Sequence, residues 1–149
     1  MTNKKTYKGR FSPKFPHKYK GDPTNIIYRS LWERKVMQYF DENSNVLEWQ
    51  SEELYVPYLS PVDNKMHRYF PDFVFTAKTK NGTIETFMVE VKPFKQTQEP
   101  KPQKQKTQRF LQEVTTWGVN SSKWDAAKKY CEAQGWKFKL ITEKQLGLL

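Results

Sequence analysis

The chain has 149 residues, enough for one domain on the usual scale of about 100–200 residues, and its single Cys excludes a disulfide framework and a Cys-cluster zinc site. Apolar residues make up 36% and aromatics 15%, so the core is lean but can be built from large rings; no apolar run approaches the ~20 residues that span a bilayer. The 26 Lys and Arg against 16 Asp and Glu give a formal net charge of +10, which suits a phosphate backbone better than a membrane surface, since no basic amphipathic helix stands out.

Residues 1–21 read as a basic, irregular arm ahead of a folded domain over 22–149. The arm holds Lys4, Lys5, Lys8, Arg10, Lys14, Lys18 and Lys20, with no acid until Asp22. It is polar and basic with no apolar stretch behind it, unlike a signal peptide, so a soluble intracellular protein is expected. Gly9, Pro13, Pro16 and Gly21 argue against a regular element. Tyr7, Phe11, Phe15 and Tyr19, set among the lysines, either stack on bases or pin the arm onto the domain.

A helix is predicted to open at Asp22-Pro23-Thr24-Asn25, carry Ile27, Leu31, Val36, Tyr39 and Phe40 at helical spacing, and end at Asn43-Ser44-Asn45. Trp32 and Met37 widen its apolar side. Residues 46–50 read as a short strand. Residues 54–59 are β-rich, but Pro57 removes a ladder donor and predicts an edge or bulge. Residues 60–65 read as a turn. Residues 67–77 and 83–91 are β-rich runs joined around Asn81-Gly82, a strong hairpin signal. Residues 93–108, rich in Lys, Gln, Pro and Thr, read as a loop. Its basic excess (Lys92, Lys95, Lys101, Lys104, Lys106 and Arg109 against Glu99 alone) is the second candidate phosphate-binding stretch.

Residues 107–117 predict a helix with Phe110, Leu111 and Val114 inward. Ser121-Ser122 cap another over 123–134, whose apolar face is Trp124, Ala127, Tyr130 and Cys131 and whose stop is Gly135. Residues 136–141 alternate with period two, as a strand does, and 142–148 predict a last helical turn. The order is α-β-β-β-α-β, a small mixed α/β sheet flanked by helices. Cys131 and most of the tryptophans are expected in the core, and His67 is expected to be an ordinary exposed or satisfied histidine.

The hairpin carries the sharpest chemical pattern: Pro71-Asp72 in one arm, Glu90-Val91-Lys92 in the other. Glu90 and Lys92 differ by two, so on a strand they share a face. Two registers are open. A two-residue turn at Asn81-Gly82 pairs positions summing to 163 and sets Asp72 opposite Val91. A three-residue loop Lys80-Asn81-Gly82, with Gly82 left-handed, pairs positions summing to 162 and sets Asp72 opposite Glu90. Directly opposed carboxylates destabilise a sheet unless a cation lies between them, and a divalent metal is the natural one.

These residues resemble the PD-(D/E)xK nuclease superfamily: Pro71-Asp72 followed by Glu90-x-Lys92 in an α-β-β-β-α-β order, with an acid on the first helix, here Glu33 in Ser30-Leu31-Trp32-Glu33-Arg34. Residues 19–92 are similar to the TnsA-type transposase endonuclease domain. Residues 7–92 resemble more closely still the small head-completion nucleases of T-even-type bacteriophages. That closer resemblance lies in the chain length, Tyr19-Lys20-Gly21-Asp22-Pro23-Thr24, Tyr28-Arg29 ahead of Ser30, the Ser60-Pro61-Val62-Asp63 turn and Arg68-Tyr69-Phe70-Pro71-Asp72-Phe73.

The resemblance implies a restriction-endonuclease-like fold and a metal-dependent deoxyribonuclease using Mg²⁺ or Mn²⁺, with no small-molecule cofactor. It implies that Asp72, Glu90 and the Val91 carbonyl bind the metal. Lys92 would orient or deprotonate the attacking water, and Glu33 would be an outer-shell or second-metal ligand. The other reading of Glu33 is an exposed helical acid paired with Arg29 or Arg34. Lys35, Arg68 and Lys95 join the arm as candidate DNA contacts. The implied role is phage head completion before head–tail joining, with head-neck or portal proteins as partners, in the host cytoplasm during assembly or in the virion. The rivals are a Holliday-junction resolvase or transposase-type endonuclease, and a non-catalytic head-neck protein that only binds DNA.

Overall fold

A computed structural model describes residues 8–147. In chain order it contains β1 (Gly9–Phe11), a 3-10 turn (Pro16–Lys18), β2 (Ile26–Tyr28), α1 (Leu31–Glu42), β3 (Val46–Ser51), β4 (Val56–Leu59), β5 (Met66–Tyr69), β6 (Phe73–Lys78) and β7 (Ile84–Val91). A second 3-10 turn (Phe94–Thr97), α2 (Gln108–Gln134), β8 (Lys137–Ile141) and α3 (Glu143–Leu146) complete it. The central sheet has the order β3-β6-β7-β8. Its first two pairings are antiparallel, and β7–β8 is parallel. A parallel pair needs a long crossover, and α2 provides it. The predicted order is met by α1, β3, β6, β7, α2 and β8. The fold is a mixed sheet between helices, restriction-endonuclease-like, with the β4–β5 ribbon inserted between β3 and β6 as a separate two-stranded sheet.

Strand alternation divides the core in two. Phe73, Phe87 and Val89 face α1 and pack with Val36, Met37, Phe40 and Trp49. Val74 and Met88 face α2 and pack with Trp124, Ala127 and Cys131, beneath Val56, Tyr58 and Tyr69 of the ribbon. Even-numbered residues of β7 therefore point toward α2, and Glu90 is one of them. Among the described residues no helix is long and apolar enough to cross a membrane.

The hairpin register is the three-residue alternative. Phe73 pairs with Val89 and Lys78 with Ile84, each pair summing to 162. The turn closes with the Thr79 N–H on the Thr83 carbonyl at 2.8 Å and the Gly82 N–H on the Thr79 carbonyl at 2.9 Å. Gly82 has φ +80°, the left-handed region that glycine enters without a Cβ clash.

Five expectations are corrected. The first helix starts at Leu31, because Ser30 is its cap and accepts the Glu33 N–H at 3.1 Å. Asp22 instead closes a local turn onto Thr24, and Ile26–Tyr28 pairs with β1. The arm is not irregular: it contains β1 and a 3-10 turn, and Tyr19 is buried against Trp49 with ring centroids 4.7 Å apart. The run 67–77 is two strands, interrupted around the fully buried Pro71. The two helices expected over 107–134 are one, because Trp117, Val119 and Trp124 all pack under the ribbon and outweigh the roughly 1 kcal/mol cost of Gly118. Of the residues expected inward on its first part, Phe110 is buried, while Leu111 and Val114 are exposed.

Candidate active site

Asp72 immediately precedes β6, and Glu90 is the penultimate residue of β7. Continuing the observed register by one step sets them opposite one another, on the face toward α2. Asp72 Oδ2 accepts the Val91 N–H at 2.7 Å, which fixes the carboxylate at the point where the two strands part. The Asp72 carbonyl accepts the Glu52 N–H at 3.3 Å. Glu90 is only 5% exposed. The Trp124 indole N–H donates to its Oε2 at 3.5 Å, a long contact. Burial, and then the charge of Glu90, hold the Asp72 carboxyl well above the ordinary carboxylate range, against the opposing pull of the Val91 N–H. The buried Tyr69 hydroxyl lacks a well-formed hydrogen bond. Burial first, then the Glu90 charge, push its pKa up.

Glu33, in the first turn of α1, is half-buried, and its Oε2 accepts the Arg29 N–H at 2.8 Å. Ser30 Oγ in turn accepts the Glu33 N–H at 3.1 Å, so Glu33 is tied both to the helix cap and to the residue before it. Burial raises the Glu33 pKa, and the charges of Glu52 and Glu90 add to it. Glu33 thus shares one acidic field with both strand carboxylates. Lys92 follows β7, and its N–H donates to the Ile141 carbonyl at 2.9 Å, which continues the ladder to β8 by one residue.

Several residues of this neighbourhood were not singled out for the site in the sequence. Arg29 pairs with the Glu52 carboxylate and also feels Glu33 and Asp72. Glu52 has φ +53°, a left-handed conformation that costs a non-glycine residue about 1–2 kcal/mol. Such strain tends to be held where function needs it. Tyr69 and Trp124, which enclose Glu90, reach it from the ribbon and from α2. Tyr69 and Trp124 meet Glu90 only through the ribbon insertion and the crossover helix, and Glu52 meets Asp72 through the β3–β6 pairing, none of which a spacing along the chain reveals.

The basic candidates separate. Lys8, Arg10 and Lys95 are exposed. Lys14 pairs with Glu42 at 2.7 Å, and Lys20 lies 3.9 Å from Glu48; both pairs are at the surface, where they are worth little and are easily exchanged. Lys18 is a correction: it is 8% exposed, and its ammonium donates to the Asp41 and Asn43 carbonyls at 2.9 Å each. It secures the end of α1 and is closed to phosphate. Lys35 lines a shallow depression with Gln38, Tyr39 and Glu42. The Arg68 guanidinium lies 4.8 Å from the centre of the Tyr55 ring. His67 pairs with Asp63 at 2.8 Å. Lys4 and Lys5 lie outside the described residues.

Among the described residues no three His, Cys, Asp or Glu side chains converge as a ready-made metal cage. The donor set of Asp72 and Glu90 nevertheless fits a hard divalent cation: two opposed oxygen donors, one with its pKa raised by the other. Mg²⁺ typically uses one or two protein carboxylates and completes its shell with water and phosphate.

The TnsA-like endonuclease N-terminal family model matches residues 43–143, a stretch that includes Asp72, Glu90 and Lys92 and begins after Glu33. A head completion nuclease of Enterobacteria phage T4 is 40% identical over 147 residues, covering 96% of this chain and 95% of that protein. The central sheet, the crossover helix and the carboxylates at the parting of β6 and β7 lie within the family match, and the chain belongs to the TnsA-like endonuclease family of nucleases.

Proposed function

We propose that the chain hydrolyses DNA phosphodiester bonds with a divalent cation, Mg²⁺ or Mn²⁺, held by Asp72 and Glu90, and that it does so during phage head completion before head–tail joining. The observation that carries the chemistry is the opposition of Asp72 and Glu90 in a hairpin whose pairs sum to 162. A cation bound there would lower the pKa of a water molecule and offset charge developing on the phosphate. The chain's own groups do the rest. Asp72 is oriented by the Val91 N–H, which leaves its second oxygen to face Glu90. The Val91 carbonyl is a third oxygen donor at the same point of the strand. Lys92 brings an ammonium to Glu90's face, where it orients the attacking water and neutralises phosphate oxygens. Glu33, with one oxygen committed to the Arg29 N–H, acts from the outer shell.

The biological assignment rests on the name of the T4 relative, which matches this chain nearly end to end. It implies action on packaged DNA in the host cytoplasm during assembly, next to head-neck or portal proteins. A DNA-binding protein with a vestigial site has no need of two opposed carboxylates, one buried and one half-buried, whose repulsion costs stability. The test is incubation of the purified protein with supercoiled DNA and Mg²⁺, repeated with Asp72→Ala and Glu90→Ala. Wild-type cleavage lost in both variants is expected. A plasmid left intact by wild type refutes the enzyme reading, and undiminished cleavage by both variants refutes the site.

A further inference from the structure

We infer that Tyr55, Arg68 and Phe70 form a platform for an unpaired or terminal nucleobase beside the cut, so that the preferred substrate is DNA with unpaired nucleotides at the scissile phosphate. The inference deepens the nuclease reading above and rests on it. In the β4–β5 ribbon, Val56 pairs with Tyr69 and Pro57 with Arg68. One further step of that register sets Tyr55 opposite Phe70. Their ring centroids are 5.8 Å apart, and Arg68 lies over Tyr55 at 4.8 Å. The two faces of the ribbon differ sharply. Val56, Tyr58 and Tyr69 are buried under α2, whereas Tyr55 and Phe70 are each 44% exposed on the outer face.

Scattered exposed rings need no explanation. These two form a pair, carry a guanidinium, and stand at the end of the ribbon that leads into the site. Only Pro71 separates Phe70 from Asp72. Their Cα atoms are therefore no more than about 7 Å apart, about two nucleotide steps along a strand that rises 3.4 Å per residue. Phe70 is held in place, because Tyr69 before it is 3% exposed and Pro71 after it is fully buried.

The chemistry selects the occupant. The net charge of +10 and the carboxylate pair two residues from Phe70 favour nucleic acid, which offers a π-face for each ring and a phosphate for Arg68. A base inside a duplex is already stacked on both faces and has nothing to give the platform. A base at an end, flap or gap has a free face, and stacking it on an aromatic ring is worth about 1–3 kcal/mol.

The test measures binding without cleavage, by fluorescence anisotropy in EDTA. The probes are a blunt duplex, the same duplex with a four-nucleotide overhang, and a single strand. Wild type should bind the overhang more tightly than the blunt duplex. Tyr55→Ala and Phe70→Ala should each weaken overhang binding by about 5- to 100-fold and leave blunt-duplex binding unchanged. Phe70→Tyr should restore the preference, and Phe70→Leu should not. Equal wild-type affinity for all probes, wild-type overhang affinity in both alanine variants, or rescue by Leu overturns the platform. Cleavage of the overhang duplex in Mg²⁺ separates the two readings: cleavage without overhang preference in binding sinks the platform alone, and overhang preference without cleavage sinks the catalytic reading alone.

Discussion

The Asp72 carboxylate accepts the Val91 N–H at 2.7 Å, one residue beyond its cross-strand partner Glu90. The bond does two things. It continues the ladder by one rung after the backbones have begun to separate, and it turns a side chain that could swing free into one with a fixed second oxygen. Orientation of this kind lets a site bind its ligands without reorganising at the moment of reaction.

The same bond sets up a stability experiment. The folded-state pKa of Asp72 is raised above that of the unfolded chain, by burial and by Glu90. The folded protein therefore holds more protons through that window, and without metal its stability falls as pH rises from the ordinary carboxylate range through the native value. Asp72→Asn keeps an acceptor for the Val91 N–H and removes the charge. In EDTA at pH 8 the Asn variant should melt above wild type, and the difference should shrink toward pH 4. Mg²⁺ should then raise the wild-type melting temperature alone, by the equivalent of about 2.7 kcal/mol at a hundred times its dissociation constant. An Asn variant that melts lower than wild type in EDTA contradicts the repulsion argument.

Glu33 has two separable duties, and two substitutions divide them. Glu33→Gln retains an oxygen for the Arg29 N–H, so stability should stay within about 0.5 kcal/mol of wild type. Cleavage should fall by about 10- to 100-fold if the charge tunes the metal from the outer shell. Ser30→Ala removes the cap on the Glu33 N–H and should cost about 1 kcal/mol, with cleavage per folded molecule retained. Chemical denaturation and plasmid cleavage on both variants decide it. Full activity in Glu33→Gln reduces Glu33 to a capping residue.

Lys18 and Arg10 should behave oppositely despite belonging to one basic cluster. Arg10→Ala should reduce the salt slope of DNA binding by about 1 if its exposed guanidinium meets a phosphate. Lys18→Met should leave that slope unchanged and lower stability, because two carbonyls at the end of α1 lose their donor. Binding titrations at several salt concentrations provide the comparison, and a shallower slope in Lys18→Met would contradict the buried placement.

Gly82→Ala tests the turn. Nothing lies within 4 Å of an added Cβ, so the cost is confined to the left-handed backbone. It should be about 1–2 kcal/mol, with plasmid cleavage preserved. Gly82→Asn should cost less, since Asn tolerates that conformation better. Urea denaturation measures both.

What could be read from the sequence followed the range of the interaction that decides it. The strands β3, β7 and β8, the Gly135 stop and the buried face Trp124–Ala127–Cys131 are set by neighbours in the chain, and the sequence gives them correctly. The start of α1 was misplaced because Ile26 and Ile27 suit either element, and β1, a partner fifteen or more residues away, draws them into a strand. The continuity of α2 was hidden because Ser121-Ser122 has the chemistry of a cap, which the packing of Trp117 and Trp124 overrides. For the site, Asp72, Glu90 and Lys92 were recognisable as a spaced pattern, and Glu33 by resemblance. Glu52 and Tyr69 were not, because the β3–β6 pairing brings the first to the carboxylates and the folded ribbon brings the second. A count of charge also cannot distinguish Lys18, which holds a helix end, from Arg10, which faces solvent.

The loop at residues 79–83 lies about 20 Å from Asp72 along β6, at roughly 3.3 Å per strand residue, yet its length decides which side chain stands across from that aspartate. Closing the same chain by a two-residue turn at Asn81-Gly82 would slide β7 by one place and set Val91, not Glu90, across from it. A turn at the far end of the hairpin thus governs whether the two carboxylates meet at all.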